Sequence, residues 1–188
     1  MENRVSRGQL LPALAEIRDT FARRNIPGLK AVGASLGEKA FLSGDSALVD
    51  CAAVAYSLAK FLEKGYIVKS AGWGKFESRA RNSIERGIKA AGEGDDAKAG
   101  ALLSELADDI EGISATLGRF EVSVVAKARV KIAADVYAHG ASLDTAAQLT
   151  RADRRLLQDY VGSTRMADSF AQSMPVRKRL AAVERIFA

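Results

Sequence analysis

The chain has 188 residues, of which 48% are apolar and 27% charged, as in a soluble globular protein of one large domain. An aromatic content of 6% and only three prolines disfavour a strand-rich sandwich or barrel, which needs frequent turns. One cysteine (Cys51) and one histidine (His139) exclude an intramolecular disulfide, a multi-thiolate zinc site and paired-histidine metal motifs, so no metal or cofactor is expected.

The sequence contains no segment that suggests a membrane or a secretory route. No apolar stretch approaches the roughly 18 uninterrupted residues of a spanning helix. The first residues, Met1 to Arg4, are polar, and no apolar signal region follows them. We therefore expect a cytoplasmic protein without a membrane partner.

Hydrophobic spacing predicts helices along the first third of the chain. Apolar residues at spacings of three and four predict a helix over residues 9–24, which Pro27 ends. Four glycines lead us to interpret residues 28–45 as a loop with one short helix around Leu36–Leu42. A broad apolar face then predicts a helix over 46–64 that is buried in a bundle. Cys51 lies within it as a small core residue rather than a reactive thiol.

Three further helices are predicted before residue 139. The first runs from about Trp73 to Ala91, with charges on one face and apolar residues on the other, and the second covers residues 96–117. Residues 119–138 contain β-branched side chains typical of strands. The alternation of a strand fails there, however, and the alanine content and 3.6-residue period favour a helix.

The net charge of +5 is concentrated in the last third of the chain. Residues 1–125 hold equal numbers of basic and acidic side chains, whereas residues 126–188 hold 11 basic and 6 acidic ones. Such asymmetry indicates a polyanion partner for the basic part. The alternative is an ordinary solvated surface.

The most informative segment is residues 142–161, SLDTAAQLTRADRRLLQDYV. It predicts a short helix (Leu143–Leu149), a three-residue link, and a second helix (Arg154–Val161) that Asp153 caps and Gly162 closes. Two short helices across a tight turn need small and apolar residues at their contact. The residues that supply them are Ala147, Ala152, Leu157 and Tyr160. This is the pattern of a helix-turn-helix.

The stretch from Lys131 to Asp168 resembles the C-terminal module of archaeal helix-turn-helix transcriptional regulators. It is also similar to short antitoxin-like proteins that pair with PIN-domain toxin nucleases. The matching residues are Ala134, Val136, Tyr137, Gly140, Ser142, Leu143, Ala146, Ala147 and Leu149. The chain departs from the pattern at Arg151, where such turns commonly place glycine, and at Asp153 and Asp159, which bring negative charge to the second helix.

The pattern and the resemblance assign the exposed face of the second helix to double-stranded DNA. Arginine and glutamine match the donor and acceptor edges of the major groove, and flanking residues and a helix start are suited to phosphates. The residues predicted to contact DNA are Ser142, Arg151, Arg154, Arg155, Gln158, Thr164 and Arg165. The alternative is a helical hairpin that only packs the C-terminal region onto the bundle or onto a partner chain.

The predicted protein is all-α: an antiparallel helical bundle over residues 1–138, followed by a helix-turn-helix and a C-terminal helix over 139–188. The bundle is expected to form a homodimer through residues 46–138, because two-fold proteins read two-fold DNA sites. The predicted function is that of a DNA-binding transcriptional regulator; the alternative is a protein-interaction module such as an antitoxin-like partner of a nuclease toxin. An enzyme is disfavoured because His139 is the only histidine and is expected at a helix end.

Overall fold

A computed structural model describes residues 8–116 and 123–164, and within these ranges the chain forms nine helices and no strand. The helices are α1 (Leu10–Ala22), α2 (Ile26–Ser43), α3 (Ser46–Leu62), α4 (Gly65–Val68), α5 (Trp73–Gly92), α6 (Asp96–Thr116), α7 (Val124–Ala138), α8 (Leu143–Thr150) and α9 (Arg154–Thr164). The predicted all-α class is thus confirmed for this part of the chain. None of these helices is both long and apolar enough to cross a membrane. The predicted C-terminal helix lies outside the described residues.

Helices with a clear apolar stripe form where the sequence predicts them. In α1, the stripe from Leu10 to Phe21 is buried, and α1 ends at Ala22, before Pro27 is reached. The β-branched segment is helical, as predicted: α7 begins at Val124, after Ser123 caps it by accepting a hydrogen bond from the Ala126 amide. Periodicity and alanine content therefore outweigh β-branching here.

The prediction of a loop over most of residues 28–45 is wrong, because α2 occupies most of that segment. The short helix predicted around Leu36–Leu42 is part of α2. The Asn25 side chain starts α2 by accepting a hydrogen bond from the Gly28 amide. Pro27 lies in the first turn, where its missing N–H costs nothing, so it helps to begin α2 rather than only ending α1. Gly44 ends α2 in the left-handed conformation, with φ of +68°.

Two of the four glycines in this segment lie where α2 touches other helices. A Cβ atom on Gly33 would lie 3.3 Å from the carbonyl oxygen of Ala52 in α3. A Cβ atom on Gly37 would lie 2.9 Å from Cγ2 of Ile132 in α7. These glycines therefore allow a close helix approach, which compensates for their low helix propensity.

We expect Gly37→Ala to destabilise the protein and Gly100→Ala to stabilise it. Both replacements gain about 1 kcal/mol of helix propensity. At Gly37 the new methyl group overlaps the β-branched Ile132, whose side chain has little rotamer freedom in a helix. Overpacking of this kind costs about 1–3 kcal/mol. At Gly100, in α6, no described atom lies within 4 Å of the new Cβ. Urea unfolding measures the change in the free energy of unfolding, which should have opposite signs in the two variants. Equal stabilisation by both would contradict the close contact between Gly37 and Ile132.

The core is centred on α3, which packs against α1, α2, α6, α7 and α8. Eleven of its 17 residues are buried, as expected of a helix surrounded by others. Cys51 is one of these core residues, as predicted, and burial raises the pKa of its thiol above the ordinary value. The same apolar core continues into α8 and α9 through Ala146, Ala147 and Leu157. The last two helices are therefore held against α3 and α7 by side-chain packing.

Candidate nucleic-acid interface

Helices α8 and α9 form where the sequence predicts two short helices across a tight turn. Ser142 caps α8 by accepting a hydrogen bond of 3.0 Å from the Thr145 amide. Asp153 accepts one of 2.8 Å from the Leu156 amide at the start of α9. Helix α9 continues to Thr164, three residues beyond the predicted end at Val161. Both helices also pack against α7, which in turn packs against α2, α3 and α6.

The residues predicted to hold the two helices together do face inward. Ala147 and Leu157 are buried, and Ala152 and Tyr160 are half-buried against the same core. Leu157 is the only fully buried side chain that α9 contributes. The orientation of α9 therefore depends strongly on this one leucine.

Arg151 occupies the position at which a glycine is common, and it does adopt the left-handed conformation, with φ of +52°. For a residue with a Cβ atom this conformation costs about 1–2 kcal/mol. The Arg151 guanidinium lies 2.9 Å from one carboxylate oxygen of Asp50 on α3, and Arg129 on α7 lies 3.3 Å from the other oxygen. Asp50 thus joins the turn to α3. The Arg151 side chain is half exposed but is already engaged in this ion pair, so it is not a free phosphate contact.

Arg154 is also paired, and here the aspartate partner is exposed as well. Its guanidinium contacts the carboxylate of Asp144 on α8, and the two side chains are 60% and 64% exposed. An ion pair this exposed contributes about 0–1 kcal/mol, so an approaching phosphate can replace Asp144 at little cost.

Arg155 and Gln158 share the outer face of α9, because they are three residues apart in a helix. Both are exposed, and neither side chain forms a hydrogen bond or ion pair with another residue in the described ranges. Thr164 is exposed at the end of α9, where its hydroxyl donates to the carbonyl oxygen of Tyr160. Arg165 lies outside the described residues. The two unpaired side chains are the strongest candidates for contact with a partner.

The charge of α8, α9 and their turn is balanced. Three arginines (Arg151, Arg154, Arg155) are matched by three aspartates (Asp144, Asp153, Asp159). The surplus of basic residues in the last third of the chain therefore lies outside α8, α9 and their turn. Helix α7 has three basic residues and one acidic residue, and residues 165–188 have five basic and two acidic ones.

A large cleft beside α9 was not predicted from the sequence. It has a volume of about 800 Å³ and lies between α3, α4, α7 and α9. Its lysines are Lys60, Lys64, Lys127 and Lys131. Its tyrosines are Tyr56, Tyr66 and Tyr160. The residues come from four separate segments, and the only local signal is a basic residue repeated at a four-residue spacing on α7.

The chain was compared with protein-family models, with curated proteins and with solved structures, and nothing matched in any of the three comparisons. The resemblance to helix-turn-helix regulators therefore stays a prediction. The roles of Arg155, Gln158 and the cleft residues have to be argued from their chemistry and geometry.

Proposed function

We propose that the protein is a DNA-binding transcriptional regulator in which α9 enters the major groove. The observation that supports this most directly is the outer face of α9, where Arg155 and Gln158 are exposed and unpaired within the described residues. Arginine pairs with guanine O6 and N7, and glutamine pairs with adenine N6 and N7. Leu157, on the opposite face, anchors the helix that carries both side chains.

The other predicted contacts differ in their suitability. Arg154 is available for phosphate once its exposed pair with Asp144 opens. Arg151 is less available, because it would have to leave Asp50. At the start of α8 the Ser142 side chain already occupies the Thr145 amide, and Asp144 in the first turn repels phosphate. The proposed contacts are therefore concentrated on α9.

Because the charges of α8 and α9 are balanced, tight binding to DNA requires basic residues outside these two helices. The basic surplus in residues 165–188 supplies positive charge next to them in the sequence. A homodimer formed through residues 46–138 would double the number of contacts and set the spacing of two half-sites.

We expect Arg155→Ala to weaken binding to duplex DNA. The loss should be about 1–3 kcal/mol, with relaxed base preference, if Arg155 reads a guanine. If Arg155 contacts only phosphate, the loss should be the same on all sequences and the salt slope should fall by about one. Fluorescence anisotropy with random and then selected duplexes across a salt series measures both quantities.

Arg86→Ala is the matched control, because Arg86 is an exposed arginine on α5 and the charge change is identical. This control should bind DNA nearly as the parent does. If Arg155→Ala and Arg154→Ala, alone and combined, remain folded and bind DNA as the parent does, the recognition helix is refuted. The antitoxin-like alternative would then gain, since α9 also exposes Leu156 and the surface of α8 and α9 is neutral.

A further inference from the structure

The cleft between α3, α4, α7 and α9 has positive charge that its own residues do not neutralise. Lys60 pairs with Glu63 at 2.9 Å, and Lys131 pairs with Asp135 at 3.2 Å. Lys64 and Lys127 have no carboxylate partner among the described residues. The only carboxylate in the lining is that of Asp159 on α9. Two ammonium groups are therefore available for an anion.

Apolar and aromatic surface is exposed in the same cleft. Four large apolar side chains in the described ranges are exposed, and two of them, Tyr66 (37%) and Leu156 (39%), line this cleft. Val124 and Val130 form buried parts of its wall, and Tyr160 is half-buried there. Tyrosine rings and branched aliphatic groups favour contact with an aromatic ring. Apolar surface exposed to water is unfavourable, so a ligand that covers it gains binding free energy.

Lysine and tyrosine side chains adjoin each other at two places in the cleft. The Lys60 ammonium lies 5.4 Å from the centre of the Tyr56 ring, and the Lys64 ammonium lies 6.0 Å from that of Tyr66. A ligand with an anionic group next to a ring can therefore meet both kinds of side chain at once. The volume of about 800 Å³ is within the usual range for small-molecule sites, about 300–1,000 Å³.

We propose that this cleft is a binding site for a small organic anion that carries an aromatic ring. Lys64 and Lys127 hold the carboxylate, sulfonate or phosphate group of the ligand, and its ring packs against Tyr160, Leu156, Val124 and Val130. The site is lined by α9 together with α3, α4 and α7. Binding of the anion there does not require that the protein bind DNA.

The experiment uses two probes with the same kind of ring system and different charge. One is 1-anilinonaphthalene-8-sulfonate, an aromatic anion, and the other is its neutral analogue N-phenyl-1-naphthylamine. We expect the 188-residue chain to bind the anion at one site per chain, measured by fluorescence and calorimetry. The double variant Lys64→Gln, Lys127→Gln should weaken binding of the anion about tenfold or more, since each charge-assisted hydrogen bond is lost. Binding of the neutral analogue should change little.

Lys98→Gln, on the exposed start of α6, is the matched control and should leave binding of both probes unchanged. Leu156→Ser should weaken binding of both probes, because it removes apolar surface and no charge. The proposal is overturned if the double variant binds the anion as the parent does while circular dichroism shows it folded. It is also overturned if random duplex DNA displaces the anion at low micromolar concentration, because the cleft would then be part of a nucleic-acid surface.

Discussion

Leu157→Ala should destabilise the protein by about 2–5 kcal/mol, the usual cost of truncating a buried leucine. Leu157 is fully buried and is the only side chain of α9 that is. Its removal leaves a cavity between α9 and the helices α7 and α8 against which α9 packs. Urea unfolding followed by circular dichroism gives the change in the free energy of unfolding, and amide hydrogen exchange shows whether α9 opens first.

The adjacent Leu156 provides a control with identical chemistry. Leu156 is 39% exposed, so Leu156→Ala should cost clearly less than Leu157→Ala, about 1 kcal/mol or less. The fluorescence of Trp73, the only tryptophan in the chain, reports on the bundle far along the chain from α9. If the two leucine variants lose equal stability, α9 does not bury Leu157 in preference to Leu156, and the exposed positions of Arg155 and Gln158 are wrong as well.

The helices with local signals were the ones that the sequence predicted well. The apolar stripe of α1 and the alanine-rich period of α7 depend on residues three and four positions apart, which a single sequence displays directly. Helix α2 was missed because Gly33 and Gly37 lower its helix propensity. These glycines let α2 approach Ala52 and Ile132 closely. Because both contacts are with residues distant in sequence, local sequence patterns do not predict them.

In the candidate site, too, some features follow from local sequence and others depend on tertiary packing. The turn between α8 and α9 and its caps at Ser142 and Asp153 follow from spacing and capping chemistry, and both caps are present. The pairing of Arg151 with Asp50 joins residues 101 positions apart, and no spacing rule predicts it. The lysine- and tyrosine-lined cleft also depends on tertiary packing, because four segments of the chain have to meet before its charges converge.

Asp50→Ala should cost about 1–3 kcal/mol, because it removes the shared partner of two arginines. The Asp50 side chain is only 13% exposed, and that of Arg129 is 25% exposed. The Nε atom of Arg129 is buried without a hydrogen-bond partner in the described part of the chain. Without Asp50, the Arg129 guanidinium keeps its desolvation cost and loses its counter-charge. Urea unfolding measures the loss.

Two further variants separate this network from ordinary surface charge. Asp144→Ala removes the exposed partner of Arg154 and should change the free energy of unfolding by less than about 1 kcal/mol. Arg151→Gly also removes a pair with Asp50, but it relieves the left-handed conformation at residue 151, so its two effects oppose each other and the net change should be small. Arg151→Ala also loses the ion pair with Asp50, but it keeps a Cβ atom in the left-handed conformation. It should therefore be less stable than Arg151→Gly. If Asp50→Ala is as mild as Asp144→Ala, Asp50 does not hold the turn against α3, and the core contacts of Leu157 alone position α9.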